Sequence, residues 1–350
     1  MSQNAFRIAV MPGDGIGPEV MAPTLALLDA VAARVGGFAF HFEHHAVGAG
    51  AYLESGTALS DEALAGAEAA DAMLFGAAGD PGVRYPDGTE IGPQLTLRET
   101  FGLYAGVRPI RALPGGPTVL ADPRGRDIDL VIVRESTEGL FASRRLGTVE
   151  DDVARGVMEI TRATSEKLFD FSFALAHRRR ARGRPGRVTC VDKSNVITAL
   201  AFFRAIFDQS AAEHPGITAD HAYIDATALD LVRQPWNFDV LVTENMFGDI
   251  LSDLGAGLIG GMGFAPSADI GDRHAVFQPC HGSAPDIAGQ GLANPTAMFL
   301  SAALMLDWLG RRHGLEACHQ AAELIEAAVD GSPAGTAAVT GAVMARLGTT

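Results

Sequence analysis

Residues 238–261 read FDVLVTENMFGDILSDLGAGLIGG. FDVLVT is a short β-branched, apolar run of strand type. After it, Met246, Ile250, Leu254 and Leu258 recur at a spacing that places them on one apolar stripe of a helix. A strand running straight into a helix is the repeating unit of α/β proteins. The same alternation continues on both sides, in RIAVM followed by a helix from Pro18, then AMLFG, DLVIV, RVTCVD with the helix NVITALAFFRAIFDQSA, and AVFQPC. The chain is therefore expected to be α/β. Near the C-terminus Asn294 is placed to cap, and Pro295 to begin, the helix PTAMFLSAALMLDWLGRR. Its scarcity of polar positions predicts burial in a core or at a subunit contact.

The opening stretch also sets a chemical question. On a helix Asp249 and Asp253 stand about 40° apart around the axis and one turn apart along it, so they face the same way. Like charges at this spacing cost an isolated helix a few tenths of a kcal/mol, and more if apolar neighbours draw them out of water. Two compensations are open. Asp249 can complement the positive end of the helix dipole while Asp253 stays solvated. Alternatively both can ligate a hard divalent cation, Mg²⁺ or Mn²⁺, which favours a few carboxylates in a shell completed by water and substrate oxygens. A third carboxylate lies in HAYIDATALD, where Asp225 follows a strand-like run and Asp230 is expected on the next helix, which makes Asp225 the better candidate.

Composition excludes several classes. The chain has 350 residues, 47% apolar and 20% charged, enough for about two domains with substantial cores. Residues 254–268, the best candidate for a membrane span, are broken by glycines and Pro266. MSQNAFRIAVMPGDG has no signal-peptide pattern, and a cytoplasmic protein is expected. Cys190, Cys280 and Cys318 are too few and scattered for a disulfide framework or a zinc knuckle, and reduced thiols are expected. A net charge of −15 argues against nucleic acid and anionic membrane as partners. HRRRARGRPGR, 177–187, runs against that charge and reads as a solvated connector, the alternative being a polyphosphate or nucleic-acid patch. MPGDGIGPE, 11–19, is glycine-rich between a strand and a helix. The dinucleotide fingerprint fails in it because Pro18 occupies the last glycine position, which leaves a tight strand-to-helix turn.

Seven segments together carry a resemblance. MPGDGIGPE, LRETFGLYAGVRP, VRESTEGLF, VDKSNV, YIDATALDLV, FDVLVTENMFGDILSDLGA and HGSAPDIAGQGLANP are similar, in order and rough spacing, to the β-decarboxylating dehydrogenases. That family includes isopropylmalate, isocitrate, homoisocitrate and tartrate/D-malate dehydrogenases, and the likeness spans nearly the whole chain. It implies an isopropylmalate dehydrogenase-like fold rather than a Rossmann fold. The large domain would be discontinuous, 1–103 plus 260–350, around a small domain at 104–259. It also implies that Asp225, Asp249 and Asp253 bind Mg²⁺ or Mn²⁺.

Taken singly, Arg98, Arg108 and Arg134 would pass for ordinary surface arginines. The resemblance implies a clamp on the carboxylates of a malate-like acid, a task suited to the planar, bidentate guanidinium. Lys193 resembles the family's catalytic lysine, with Asn195 beside it as a substrate or nicotinamide contact. To act as a base it needs a pKa about 3 units below its free value, a change of about 4 kcal/mol that burial and a nearby cation can impose. Without the resemblance, DKSN reads as a solvated turn whose Ser194 or Asn195 caps a helix. HGSAPDIAGQGLANP resembles the family's nucleotide loop, which implies cofactor contacts from His281, Gly282, Ala284, Asp286 and Asn294, with Ile16 at the nicotinamide end. Asp286 implies NAD, because a carboxylate there would bond the ribose hydroxyls and repel the 2′-phosphate of NADP. A structural role for the same loop is a Ser283 cap with Pro285 in a first helical turn.

Some positions depart from the family. Phe141 occupies the place of a tyrosine thought to protonate the product enol, and a phenyl ring has no proton to give. Gln278 stands where relatives commonly carry glutamate. Leu95 and Val196 resemble the apolar side of an isopropylmalate pocket, whereas Ile91 and Gln94 do not follow that pattern. Gly92 replaces a serine of the isocitrate enzymes. The resemblance implies oxidation of a (2R)-malate-type acid by NAD⁺ with loss of its β-carboxylate as CO₂. 3-Isopropylmalate or a related 3-substituted malate heads the substrates, with D-malate, tartrate and homoisocitrate as alternatives. It also implies a homodimer in which Lys193 and Asp225 complete the neighbour's site. The rival of another class is a noncatalytic regulatory subunit, which Phe141 favours and the intact Lys193, arginines and aspartates disfavour.

Overall fold

The computed structural model describes residues 4–117 and 119–348. The chain forms two compact units, one of Met1–Phe101, Leu113–Pro117 and Gly260–Thr350, the other of Gly102–Ala112 and Thr118–Ile259. The short return of Leu113–Pro117 to the first unit had no visible signal in the sequence. It is held by Gly331 N–H donating to the Pro114 carbonyl at 2.9 Å.

The first unit opens with strand β1 (Asn4–Gly13), helix α1 (Gly17–Val35), β2 (Phe38–His44), α2 (Ala49–Ser55), α3 (Asp61–Ala69), β3 (Ala72–Ala77) and α4 (Pro93–Phe101). β1 pairs in parallel with β2 on one side and β3 on the other. Every residue of β3, AMLFGA, is buried, which is why it reads as an unbroken apolar run and not as an alternation.

The second unit holds β4 (Ala105–Arg111), β5 (Asp129–Glu135), α5 (Gly139–Ala142), β6 (Thr148–Glu150), β7 (Val153–Arg155), α6 (Arg162–Ala181), β8 (Arg187–Asp192), α7 (Thr198–Ala212), β9 (Thr218–Tyr223), α8 (Ile224–Arg233), β10 (Val240–Thr243) and α9 (Asn245–Leu258). Its strands run β4-β5-β10-β8-β9, antiparallel at the first step and parallel after it. α6 and α7 meet through Phe169, Phe173, Phe203 and Phe207, the closest ring centroids, those of Phe169 and Phe203, lying 4.7 Å apart. Each such buried ring contributes about 2–3 kcal/mol of transfer free energy.

The chain returns to the first unit with β11 (Pro266–Ile270), β12 (Ala275–Pro279), α10 (Thr296–His313), α11 (Glu316–Ala328) and α12 (Thr336–Arg346). β12 runs parallel to β3 and antiparallel to β11. α10 is the core helix its composition predicts, with Met298, Phe299, Met305, Leu306 and Leu309 fully buried. Asn294 does contribute at its start, accepting from Thr296 N–H at 3.0 Å, although the helix begins one residue later than Pro295.

The arginine-rich segment 177–187 is an exposed connector only over residues 182–185, before β8. α6 extends through His177 and Arg180, and Arg179 is drawn inward. Its Nε donates to Asp239 at 2.5 Å, while Nη1 and Nη2 donate to the Asp129 carboxylate and Nη2 also to the Asp129 carbonyl. Asp239 is fully buried at the start of β10 and also accepts from Gly186 and Arg187 N–H. A buried carboxylate needs a cation and further donors, and this segment supplies both. No helix among the described residues is long and apolar enough to cross a membrane.

Candidate active site

In the second unit, α9 carries the opening carboxylates against β4 and β5. Glu244 caps it, accepting from Phe247 N–H at 2.7 Å and Met246 N–H at 3.0 Å. Burial raises the Glu244 pKa, opposed by these amide bonds and by Arg134. The helix buries the apolar stripe only in part, Leu258 being buried and Met246 and Leu254 half-buried. Its inner face is Gly248, Leu251, Ser252 and Gly255, whereas Ile250 is exposed. A β-carbon at Gly248 would come within 2.6 Å of Arg134 Cβ, and one at Gly255 within 2.8 Å of Ile110. Glycine thus lets the helix approach the strands more closely than any apolar side chain would.

That approach brings Arg134, near the end of β5, to the carboxylates. Its Nε and Nη2 both donate to Asn245 Oδ1, at 2.9 and 2.7 Å, and its Nη1 donates to Asp249. Asn245 Nδ2 in turn donates to the Glu138 carbonyl at 2.8 Å, which fixes the amide. β4 sets Gly106 opposite Arg134, so Arg108, two residues further along β4, leans to the same face. Burial and the charge of Asp249 push the Asp253 carboxyl pKa up, and Arg134 and Arg108 pull it back. None of the three clamp arginines is an ordinary surface residue, since Arg98, Arg108 and Arg134 are only 8%, 4% and 6% exposed.

Lys193 follows β8 in a turn set by Asp192. The Asp192 carboxylate is fully buried and accepts from Arg204 Nε at 2.7 Å and Nη2 at 2.9 Å, and from Ser194 N–H at 2.8 Å. Neither Ser194 nor Asn195 caps the following helix. α7 starts at Thr198, and the turn is closed by Val196 and Ile197 N–H donating to the Lys193 carbonyl. Asn195 and Val196 are exposed. Lys193 Nζ donates to Asp225 at 2.5 Å, and this bond, with the lysine's charge, lowers the Asp225 pKa. Asp225 itself lies in the first turn of α8, on the same helix as Asp230 and not before it.

The site residues thus fall into two groups within the second unit, Arg108, Arg134, Asp249 and Asp253 in one and Lys193 and Asp225 in the other. Among the described residues no three His, Cys, Asp or Glu side chains converge as metal ligands. Asp249 and Asp253 do fit a hard cation, being oxygen donors on one helix face whose mutual repulsion a divalent charge would relieve.

The remaining residues belong to the first unit. In α4, Leu95 is half-buried one turn before Arg98, and Arg98 Nε donates to Asp269 at 2.9 Å. Gln278 Nε2 donates to the same buried oxygen at 3.0 Å. A glutamate at 278 would meet Asp269 with a second charge, so the amide suits this neighbour. Ile91 is buried with Ala49 and Ala58 beneath Tyr52 and Tyr85, a packing role rather than a pocket wall.

The turn after β1 is bonded to the loop 281–295. Gly13 and Gly15 have positive φ, and a β-carbon on either would strike the backbone oxygen of Ala77 or Ser283. Ile16 is buried, and its N–H donates to the Ser283 carbonyl at 2.8 Å. Ser283 is no helix cap. Its hydroxyl donates to the Gly79 carbonyl, and neither helix nor strand forms over 281–295, so Pro285 opens no helical turn. His281 Nδ1 donates to the Gly282 carbonyl at 2.9 Å, and its Nε2 is buried without a protein partner. Burial lowers the His281 pKa against its backbone bonds, which favours the neutral ring. A β-carbon on Gly282 would meet only open space, and the Asp286 carboxylate is exposed. Ala284 adopts a positive φ, and Asn294 Nδ2 donates to the Ser332 carbonyl. An orphaned ring nitrogen, an open glycine and a free-standing carboxylate are a donor and acceptor set that fits an adenosine group.

Residues 7–345 match the family model described as isocitrate/isopropylmalate dehydrogenase. The chain belongs to that family. It is accordingly an oxidoreductase of the β-decarboxylating dehydrogenase class, with the family's fold. It is 42% identical over 329 residues to the 3-isopropylmalate/3-methylmalate dehydrogenase of Methanocaldococcus jannaschii, covering 93% of this chain and 90% of that one. Against the 3-isopropylmalate dehydrogenase of Moorella thermoacetica it is 43% identical over 333 residues, covering 93% and 89%. The crystal structure of isocitrate dehydrogenase from Methylococcus capsulatus superposes with a TM-score of 0.83 at 36% identity, covering 98% of this chain and 99% of that one. Asn245 and the Asp192–Arg204 fork carry roles that the sequence reading does not assign; the sequence signal of the fork is an aspartate ending a buried strand and an arginine on the next helix.

Proposed function

We propose that this chain catalyses the NAD- and Mg²⁺- or Mn²⁺-dependent oxidative decarboxylation of a (2R)-malate-type acid, with 3-isopropylmalate or a related 3-substituted malate first among the substrates. The observation that carries this is α9 holding Asp249 and Asp253 beside the buried Arg134, in a chain over 40% identical to 3-isopropylmalate dehydrogenases. Arg98, Arg108 and Arg134 orient the carboxylates of the acid. Asp249 and Asp253 hold the cation, with Asp225 lent by a second protomer. Bound there, the ion supplies Lewis-acid polarisation of the hydroxyl and carboxylate oxygens. Lys193 takes the hydroxyl proton as hydride passes from C2 to NAD⁺, which is held through His281, Gly282, Ala284, Asp286 and Asn294, with Ile16 at its nicotinamide end. Loss of the β-carboxylate as CO₂ then leaves an enol to be protonated.

The homodimer is supported by the Lys193–Asp225 bond, which keeps the two lent groups together, and by exposed Leu229 and Val232 on α8 and Ile250 on α9. Leu95 and Val196 are assigned to the apolar side of the substrate pocket, with Asn195 beside Lys193. A cytoplasmic setting suits a chain with only three scattered cysteines. NADH formation on a panel of isopropylmalate, D-malate, tartrate, isocitrate and homoisocitrate tests the proposal, with isopropylmalate expected to lead. Asp249→Asn should abolish turnover at saturating Mg²⁺ or Mn²⁺. Undiminished activity in that variant refutes the metal assignment, and inactivity of the wild type on the whole panel favours the regulatory subunit.

A further inference from the structure

The turn MPGDGIGPE contributes only Ile16 to the site proposed above, and leaves Glu19 unexplained. Glu19 is in the first turn of α1, whose cap is Ile16 without a side-chain bond. Its carboxylate does not serve its own helix. One oxygen accepts from Gly289 N–H at 3.1 Å and the other from Ala293 N–H at 3.1 Å. The hydroxyl of Thr336, which opens α12, lies 2.5 Å from the second oxygen and 2.6 Å from the Ala293 carbonyl. Burial raises the Glu19 pKa, but these donors outweigh it and hold the group below the ordinary carboxylate value, an anion at neutral pH.

The segment so fastened is braced from outside. It lies between Asp286 and Asn294, has no helix or strand, and includes Gly289 and Gly291, both at positive φ. Glycines bring the chain's largest backbone freedom, and the loop's own bonds, from Ile287 and Gln290 N–H to the Ala284 and Ile287 carbonyls and from Gln290 Nε2 to the Asp286 carbonyl, are supplemented by anchors from outside it. Two carboxylate oxygens, each taking a different backbone N–H, immobilise it from α1.

We propose that Glu19 is a positioning residue for the dinucleotide, fixing Gly289–Ala293 so that Asp286 and Asn294 are presented together to the adenosine half of NAD. This rests on the assignment of the loop to NAD. A glutamine keeps one acceptor but turns an NH₂ toward the second N–H, so it replaces the carboxylate only in part.

The test is NADH binding by fluorescence titration of the full chain, with steady-state kinetics beside it. Glu19→Ala is expected to raise the NADH Kd about tenfold, Glu19→Gln by less, and Thr336→Val, the milder change, about threefold. The loss should fall on KM for NAD⁺ and not on kcat or on KM for the hydroxy acid. Wild-type NADH affinity in Glu19→Ala or Thr336→Val, while Asp286→Ala weakens binding, overturns the positioning role. So does an equal loss in kcat and both KM values. If Asp286→Ala binds NADH as the wild type does, the nucleotide assignment of the loop fails, and the role of Glu19 with it.

Discussion

Replacing Arg204 with methionine would keep most of the side chain's volume and strand the Asp192 carboxylate, which no water reaches. Asp192 would keep the Ser194 N–H and lose both guanidinium bonds, those at 2.7 and 2.9 Å. Breaking a buried pair from one side typically costs 3–5 kcal/mol, and because Arg204 itself reaches solvent the lower end applies, about 3 kcal/mol. At about 2–4 °C per kcal/mol for a unit of this size, Tm should fall by roughly 6–12 °C. Thermal unfolding of wild type, Arg204→Met, Asp192→Asn and the double variant measures this directly. The double variant strands no charge and should be more stable than Arg204→Met alone. A loss below about 1 kcal/mol in the single variant, or a double variant that loses at least as much, would refute the account of how the Lys193 turn is held.

Phe141→Tyr restores a hydroxyl on a partly exposed ring whose face lies 5.4 Å from the Arg134 guanidinium carbon. It should leave stability within about 0.5 kcal/mol and raise kcat about tenfold or more on the preferred malate; an unchanged kcat would assign the final proton to another donor. Glu135 is buried, and burial pushes its pKa up to about 7 against the bonds it accepts from Thr137 and Glu138. The folded state therefore holds a proton that the unfolded state has lost, and stability should fall by about 3 kcal/mol as pH rises from about 4.5 to 7. Glu135→Gln should flatten that slope in a Tm-against-pH series, and an identical slope would rule the group out.

The α/β pattern was legible because strands buried on both faces, such as AMLFG and VLVT, are apolar runs that declare themselves without alternation, Thr243 being the single polar residue in the two. The inner face of α9 was not. Hydrophobic periodicity weights Met246, Ile250 and Leu254, whereas the closest packing is made by Gly248 and Gly255, which have no hydrophobic signal at all. The arginines at 177–187 misled for a related reason. Charge density reads as solvent exposure, yet Arg179 answers Asp129 and Asp239, a partnership that only the parallel register of β5 with β10 creates. Arg98, Arg108 and Arg134 took their significance from the likeness to a family, since nothing in their spacing announces burial. The role of Ser283 was hidden because its partner, the Gly79 carbonyl, is 204 residues away in sequence.

The contact between Gly248 and Arg134 gives the second unit an unequal tolerance to sequence drift. Outward positions of α9 such as Gly257, where an added β-carbon meets open space, can change with little effect on the helix axis. A single added methyl at 248 would have to lever the whole helix off β5, carrying two aspartates away from their guanidinium at once. One hydrogen atom, in place of a methyl, sets the distance at which this enzyme's acids and its arginine meet.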